Sequence, residues 1–259
     1  MKITLTNAGK RFNRDWIFRT VNYEFTSGQA YAIVGPNGSG KSTLLQIIAG
    51  SIGLSEGKIE YSMIDGRWST VEELQTLNEN VQGKSGTSQP SPVISHPSSQ
   101  VRHLSSAIAE APADKSVIDH RINSEDIFEL LSFAAPYLEL IEEMTLLEFL
   151  EFHCRFKPFL EGIGIEQIIH SVQLTTATDK QIRYFSSGMK QRIKLAQAIF
   201  SNTPLLLLDE PCTNLDEDGV SIYLKLIERY GQGKLIIVSS NESQEYSFCK
   251  ESIDLRNYK

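Results

Sequence analysis

The run Gly35-Pro36-Asn37-Gly38-Ser39-Gly40-Lys41-Ser42, followed by Thr43, restricts this chain to few folds. A glycine, four residues and then Gly-Lys-Ser is the spacing of a loop that turns its backbone N–H groups onto a phosphate chain. The flanks agree with it. Ala30-Tyr31-Ala32-Ile33-Val34 upstream is a short apolar run that reads as a buried strand. Residues 42–49 downstream repeat apolar side chains on one helical face, and Gly50 stands where a helix would end. A strand, a glycine loop and a helix start leave several backbone N–H groups unpaired around one point, and the helix dipole adds favourable potential for an anion. Lys41 is then expected to reach the β- and γ-phosphates, and the Ser42 hydroxyl to hold Mg²⁺.

The remaining bulk properties exclude more than they assign. With 259 residues the chain can bury a full core. A net charge of −7 gives no support to a nucleic-acid surface, so no nucleic-acid partner is expected. Cys154, Cys212 and Cys249 show no metal spacing and no even disulfide framework, which points to a reducing compartment. The five histidines form no ligand pair at helical spacing. No run of about 18 apolar residues occurs, and Met1-Lys2-Ile3-Thr4 does not open a secretory signal. A chain that does not itself span a membrane is expected.

Residues 3–6 and 21–25 alternate as strands do, with a polar turn at Asn13-Arg14-Asp15 between them, and residues 57–61 read as another edge strand. From about Met63 to Asn123 the character changes. Residues 72–80 suggest a short helix, but residues 82–100 are dense in Ser, Pro, Gly and Gln and nearly free of large apolar side chains. Such a stretch cannot bury enough surface to offset its ordering entropy, so the segment at about 63–123 reads as a flexible insertion into one domain spanning 1–259. Periodicity resumes at residues 125–133. Residues 145–156 form a strongly amphipathic helix, and 163–174, 186–200 and 218–230 read as further helices. Leu205-Leu206-Leu207-Leu208 and Leu235-Ile236-Ile237-Val238 are apolar strands. Strands alternating with helices imply a parallel sheet covered on both faces.

Asp209 and Glu210 end the first of those apolar strands. Opposite a phosphate loop, one carboxylate there suits Mg²⁺ and the next suits orienting or deprotonating an attacking water. Phe185-Ser186-Ser187-Gly188-Met189-Lys190-Gln191-Arg192 opens a helix shortly before them, and Ser186 is placed to cap it. This stretch resembles the Leu-Ser-Gly-Gly-Gln signature of ATP-binding-cassette (ABC) ATPases. Pro211-Cys212-Thr213-Asn214-Leu215-Asp216 resembles that family's D-loop. The motifs occur in family order, over residues 1–62 and 124–259.

The resemblance implies an α/β fold: a P-loop NTPase (RecA-like) core with a parallel sheet, a small antiparallel β subdomain, and a helical subdomain around residues 125–195. It implies ATP and Mg²⁺ as cofactors, with Gly35, Pro36, Asn37, Gly38, Ser39, Gly40, Lys41, Ser42 and Thr43 cradling the phosphates. It assigns Ser42 and Asp209 to the metal and Glu210, Lys41 and Asn241 to catalysis. Ser186, Ser187 and Gly188 would face the γ-phosphate held by a second ABC ATPase subunit, of the same chain in a homodimer. Phe12 stands where the family stacks an aromatic ring on adenine, with Trp16 as a rival. An integral membrane permease would be the further partner, placing the chain in the cytoplasm at the inner face of the membrane.

Three motifs depart from the family pattern. The signature carries Ser187 and Met189 in place of its first glycine and its glutamine. Ala134-Ala135-Pro136-Tyr137-Leu138-Glu139 falls at the Q-loop without a glutamine, which leaves backbone contacts, Glu139, Glu142 or Glu143 for its role. Asn241 occupies the place of the switch histidine; an amide donates a hydrogen bond there but carries no charge. The reading is the ATP-binding and ATP-hydrolysing subunit of an ABC transporter. A soluble non-transport ABC ATPase and a hydrolysis-deficient nucleotide switch are the alternatives.

Overall fold

The structure is a computed structural model that describes residues 1–63 and 120–259. The suggested helix at 72–80 and the Ser/Pro-rich run at 82–100 lie outside the described residues. The N-terminal hairpin is longer than its alternation implies: β1 (Lys2–Phe12) pairs antiparallel with β2 (Asp15–Thr26) in a register from Lys2↔Thr26 to Phe12↔Asp15. Ile3, Leu5, Phe18, Val21 and Phe25 point to the buried side. Arg19 and Arg11 cover the ring of Trp16, the Arg19 guanidinium at 4.1 Å from its centre.

The strand expected at an edge, β4 (Glu56–Met63), is not at one. The sheet order is β2-β1-β4-β5, where β5 (His120–Ile122) pairs Tyr61↔Ile122 and Met63↔His120. Met63 and residues 120–122 therefore belong to a sheet, although composition puts them inside the insertion. Three residues are too few to show an alternation, and their strand state comes from ladder bonds to β4.

The second sheet is all parallel, in the order β6-β7-β8-β3-β9. It comprises β3 (Ala30–Val34), β6 (Leu131–Ala134), β7 (Leu205–Asp209), β8 (Leu235–Ser239) and β9 (Glu251–Asp254). Every residue of β7 and β8 is buried, as a central parallel strand covered on both faces requires. β6 corrects the expectation of helical structure from residue 125: Ile127–Glu129 is a single 3₁₀ turn, and Leu131 then pairs with Leu205. Pairing along β7 outweighs the local periodicity there. β9, beyond the switch region, carries no sequence signal.

Helix α1 (Lys41–Ile48) follows the phosphate loop. α2 (Leu146–Phe156) begins at a capping box in which Thr145 and Glu148 exchange bonds. α3 (Ile165–Ser171), α4 (Ser187–Phe200) and α5 (Glu217–Tyr230) complete the set, with Leu150, Ile168, Ile193, Phe200 and Tyr223 in one core. Among the described residues no helix is long and apolar enough to cross a membrane.

His153 of α2 is expected to make this core acid-sensitive. Its Nε2 lies 2.9 Å from Ser201 Oγ and its ring stacks on Phe159. Burial, reinforced by the nearby Lys157 charge, pushes the imidazole down to about 4. Below the ordinary value near 6.5 the unfolded chain binds a proton that the folded chain refuses. Stability is therefore lost as pH falls from 6.5 towards 4, by about 3 kcal/mol at most. We expect His153→Gln to flatten the pH dependence of urea-unfolding free energy between pH 6.5 and 4.5. Equal slopes in parent and variant would assign the acid sensitivity to other groups.

Candidate nucleotide-binding site

β7, β8 and β3 lie side by side and run the same way, so the segments leaving their C-terminal ends collect on one edge of the sheet. The phosphate loop comes after β3, Asp209 ends β7 with Glu210 next, and Asn241 comes after β8. Gly40 caps α1 in the left-handed region at φ 100°, where a side chain would be strained. A Cβ there would also come within 2.3 Å of Ile17 Cγ2. Lys41 Nζ donates to Gly35 O at 2.9 Å and to Pro36 O at 3.4 Å, which spans the loop with its own side chain.

The loop opens on a cavity of about 440 Å³ lined by Ile17, Asn37, Gly38, Gly40, Lys41, Ser42, Thr43 and Glu210. Glu210 reaches that lining through an unusual backbone: its φ is 42°, and its N–H donates to Ser239 O at 2.8 Å. A non-glycine residue in the left-handed region is costly and persists only where neighbours hold it. Asp209 is 2% exposed, and its Oδ1 has no hydrogen-bond partner among the described residues. The buried Ser39 and Ser239 hydroxyls are likewise unpartnered. Buried polar atoms are normally satisfied, so a carboxylate oxygen left open beside a glycine loop fits a bound cation and its phosphate. Asn241 Nδ2 donates to Asn37 Oδ1, which ties the switch region to the loop.

The signature residues are placed differently. Ser186 caps α4 by accepting from Met189 N–H at 3.2 Å, and Ser187 and Gly188 form the first turn. None of the three lines the cavity. They abut the D-loop: a Cβ on Gly188 would lie 2.9 Å from Asn214 O. Gln191 Nε2 donates to Pro211 O at 2.8 Å, and Arg192 bonds Asp216 at 3.0 Å. Met189, at the usual glutamine, is partly buried against the core.

Phe12 also stands outside the lining. It is exposed at the hairpin tip, with Lys10 Nζ 5.1 Å from its ring centre. Ile17, which sequence reading did not single out, lines the cavity instead; nothing in a β-strand pattern says that this hairpin crosses the loop. The acidic candidates at the glutamine-free loop are engaged elsewhere or exposed: Glu142 pairs with Lys190 at 2.5 Å, Glu143 with Arg183 at 3.5 Å, and Glu139 faces solvent. Sequence reading also passed over Tyr137, whose Oη accepts from Gln46 Nε2 of α1 at 3.2 Å.

A glycine loop between a parallel strand and a helix, on a sheet of this order, defines a P-loop nucleotide-binding protein of mixed α/β fold. The family is narrower. The family description "ABC transporter" matches residues 18–213, and the chain belongs to that family. It is similar to the lantibiotic transport ATP-binding protein of Streptococcus pyogenes, 26% identical over 254 residues, covering 97% of this chain and 85% of that one. It is 30% identical over 243 residues to the energy-coupling factor transporter ATP-binding protein of Thermotoga maritima, covering 93% of this chain and 73% of the relative. Among solved structures, a dimeric ATP-binding cassette in a post-hydrolysis state with ADP and Pi superposes with a TM-score of 0.64 at 20% identity, covering 97% and 93% of the two chains.

Proposed function

We propose that this chain is the ATP-binding and ATP-hydrolysing subunit of an ABC transporter, driving transport through a separate integral membrane permease. The observation that carries the catalytic part is the convergence of Lys41, Ser42 and Glu210 on one cavity, with the open Asp209 carboxylate at the end of β7, immediately before Glu210. Residues 35–43 hold the triphosphate through backbone N–H groups and the Lys41 ammonium. Ser42 and Asp209 hold Mg²⁺, which when bound neutralises charge on the phosphate oxygens. Glu210 accepts a proton from water as the water oxygen bonds to the γ-phosphorus and the bond to the bridging oxygen breaks, releasing ADP and phosphate. Asn241 supports the γ-phosphate side through an amide donor, and the exposed face of Phe12 stacks on adenine.

The α4 N-terminus serves the nucleotide of a second copy of the chain. Ser186, Ser187 and Gly188 lie against the D-loop and outside their own chain's cavity, and a similar cassette that is dimeric supports a second copy as partner. The membrane partner is inferred from the transport relatives. On this reading the chain sits peripherally at the cytoplasmic face.

Purified protein is expected to release phosphate from ATP with saturation kinetics when Mg²⁺ is present and not in EDTA. Expressed with an added affinity tag in its own cells, it is expected to co-purify from membranes with a polytopic membrane protein. ATP binding with no turnover would replace this reading with a nucleotide switch, and recovery only from the soluble fraction would remove the transporter part.

A further inference from the structure

We infer that Glu245 is a positioning residue of this site, its buried carboxylate holding the backbone that carries Glu210 and the D-loop. It acts through Glu210, so this role stands on the hydrolytic reading of the site. The stretch leaving β7 is strained at two places. Glu210 has φ 42° and Asn214 has φ 65°, both in the left-handed region without being glycine. Such backbone persists only where its surroundings over-determine it. Within the stretch, Thr213 N–H donates to Glu210 O at 3.1 Å and Leu215 N–H to Cys212 O at 2.9 Å. Pro211 O and Cys212 N–H are met from elsewhere in the fold. Gln191 of α4 donates to Pro211 O at 2.8 Å, and Glu245 Oε1 accepts from Cys212 N–H at 2.9 Å. Cys212 lies between the two strained residues, so the carboxylate holds the stretch at its middle.

Glu245 is itself fixed. It belongs to the 3₁₀ turn Ser243–Tyr246, where its N–H donates to Glu242 O at 3.0 Å, and Tyr223 Oη of α5 donates to its carbonyl at 2.8 Å. Tyr223 is fully buried and Glu245 is 4% exposed. The second carboxylate oxygen, Oε2, is buried without a hydrogen-bond partner among the described residues. A buried carboxylate with one open oxygen costs stability that an apolar side chain of similar size would not. Packing alone gives no reason for a carboxylate here; the bond to Cys212 N–H does. The same turn follows Asn241, whose amide reaches Asn37 of the phosphate loop. Glu245 therefore joins the segment after β8, which carries Asn241, to the segment after β7, which carries Glu210.

Glu245→Ala removes the acceptor, and Glu245→Gln keeps an oxygen in its place. The measurement is steady-state ATP hydrolysis well below the unfolding temperature, with the thermal midpoint of each protein. We expect kcat to fall roughly tenfold in Glu245→Ala with KM within about twofold, because the displaced group is a base and not a phosphate ligand. Glu245→Gln should recover most of the rate. Tyr223→Phe loosens the turn without touching the carboxylate; it should lower kcat less, and it serves as the test if Glu245→Ala does not fold. A lowered midpoint with parent kcat in the folded variants would reduce Glu245 to a stabilising contact. An equal loss of rate in Glu245→Gln would assign the effect to charge and not to the bond. Either result overturns the inference while the reading of Glu210 stands. If the parent itself releases no phosphate from ATP, the hydrolytic reading falls and this role with it.

Discussion

Glu210→Gln is expected to bind ATP with an affinity within a few-fold of the parent while its turnover falls on the order of a hundredfold or more. The amide keeps the side chain's size and fits the same strained backbone at φ 42°, where the N–H bond to Ser239 O is untouched. On the proposed mechanism it removes the base that takes the proton from water. Because ATP would then persist in the site, the proposed dimer should appear by size-exclusion chromatography with Mg-ATP in the variant and be weaker or absent in the parent. Phosphate release and elution volume together check the result. Turnover at the parent rate would take the role of base away from Glu210.

The second large effect is expected from Gly40→Ala. The methyl group meets two obstacles at once. A φ of 100° is a backbone region that L-residues occupy at a cost of order 1–3 kcal/mol. The new Cβ would also fall 2.3 Å from Ile17 Cγ2 and 3.2 Å from Phe18 Cδ1. Ile17 Cγ2 sits on a β-branched carbon with little rotameric freedom, and Phe18 is fully buried, so neither neighbour yields cheaply. The strain is relieved by moving the start of α1, which carries Lys41 and Ser42. We expect ATP affinity to fall at least tenfold and the thermal midpoint to drop by several degrees. Gly53→Ala serves as the control, because nothing lies within 4 Å of a Cβ there. Parent-like ATP binding by Gly40→Ala would show that the hairpin does not crowd the loop.

Legibility along this chain tracks the range of the interactions involved. The phosphate loop, α1 and the start of α2 at Thr145 are readable because their determinants lie within a few residues: glycines at set spacing, an apolar helical face, a cap. β7 and β8 are readable because full burial leaves a continuous apolar run. β5, β6 and β9 have three or four residues each, and their strand state depends on partners far along the chain. Residues 130–133 show why local pattern misleads there. Their apolar spacing suits a helix, but pairing with β7 satisfies the backbone and buries both faces.

By itself the sequence determined which chemical groups the site has at its disposal: an anion-cradling loop, one lysine, one hydroxyl, two strand-end carboxylates, and an amide where a histidine is usual. Those are composition and spacing, and no folding is needed to count them. Only the tertiary structure decided which groups meet. It set Ile17 against Gly40, tied Asn241 to Asn37, brought Gly188 up to Asn214, and laid Tyr137 on Gln46. Each of these pairs is distant in sequence, and each contact exists because strand order and helix packing place two backbones within side-chain reach. A local pattern carries no information about that distance.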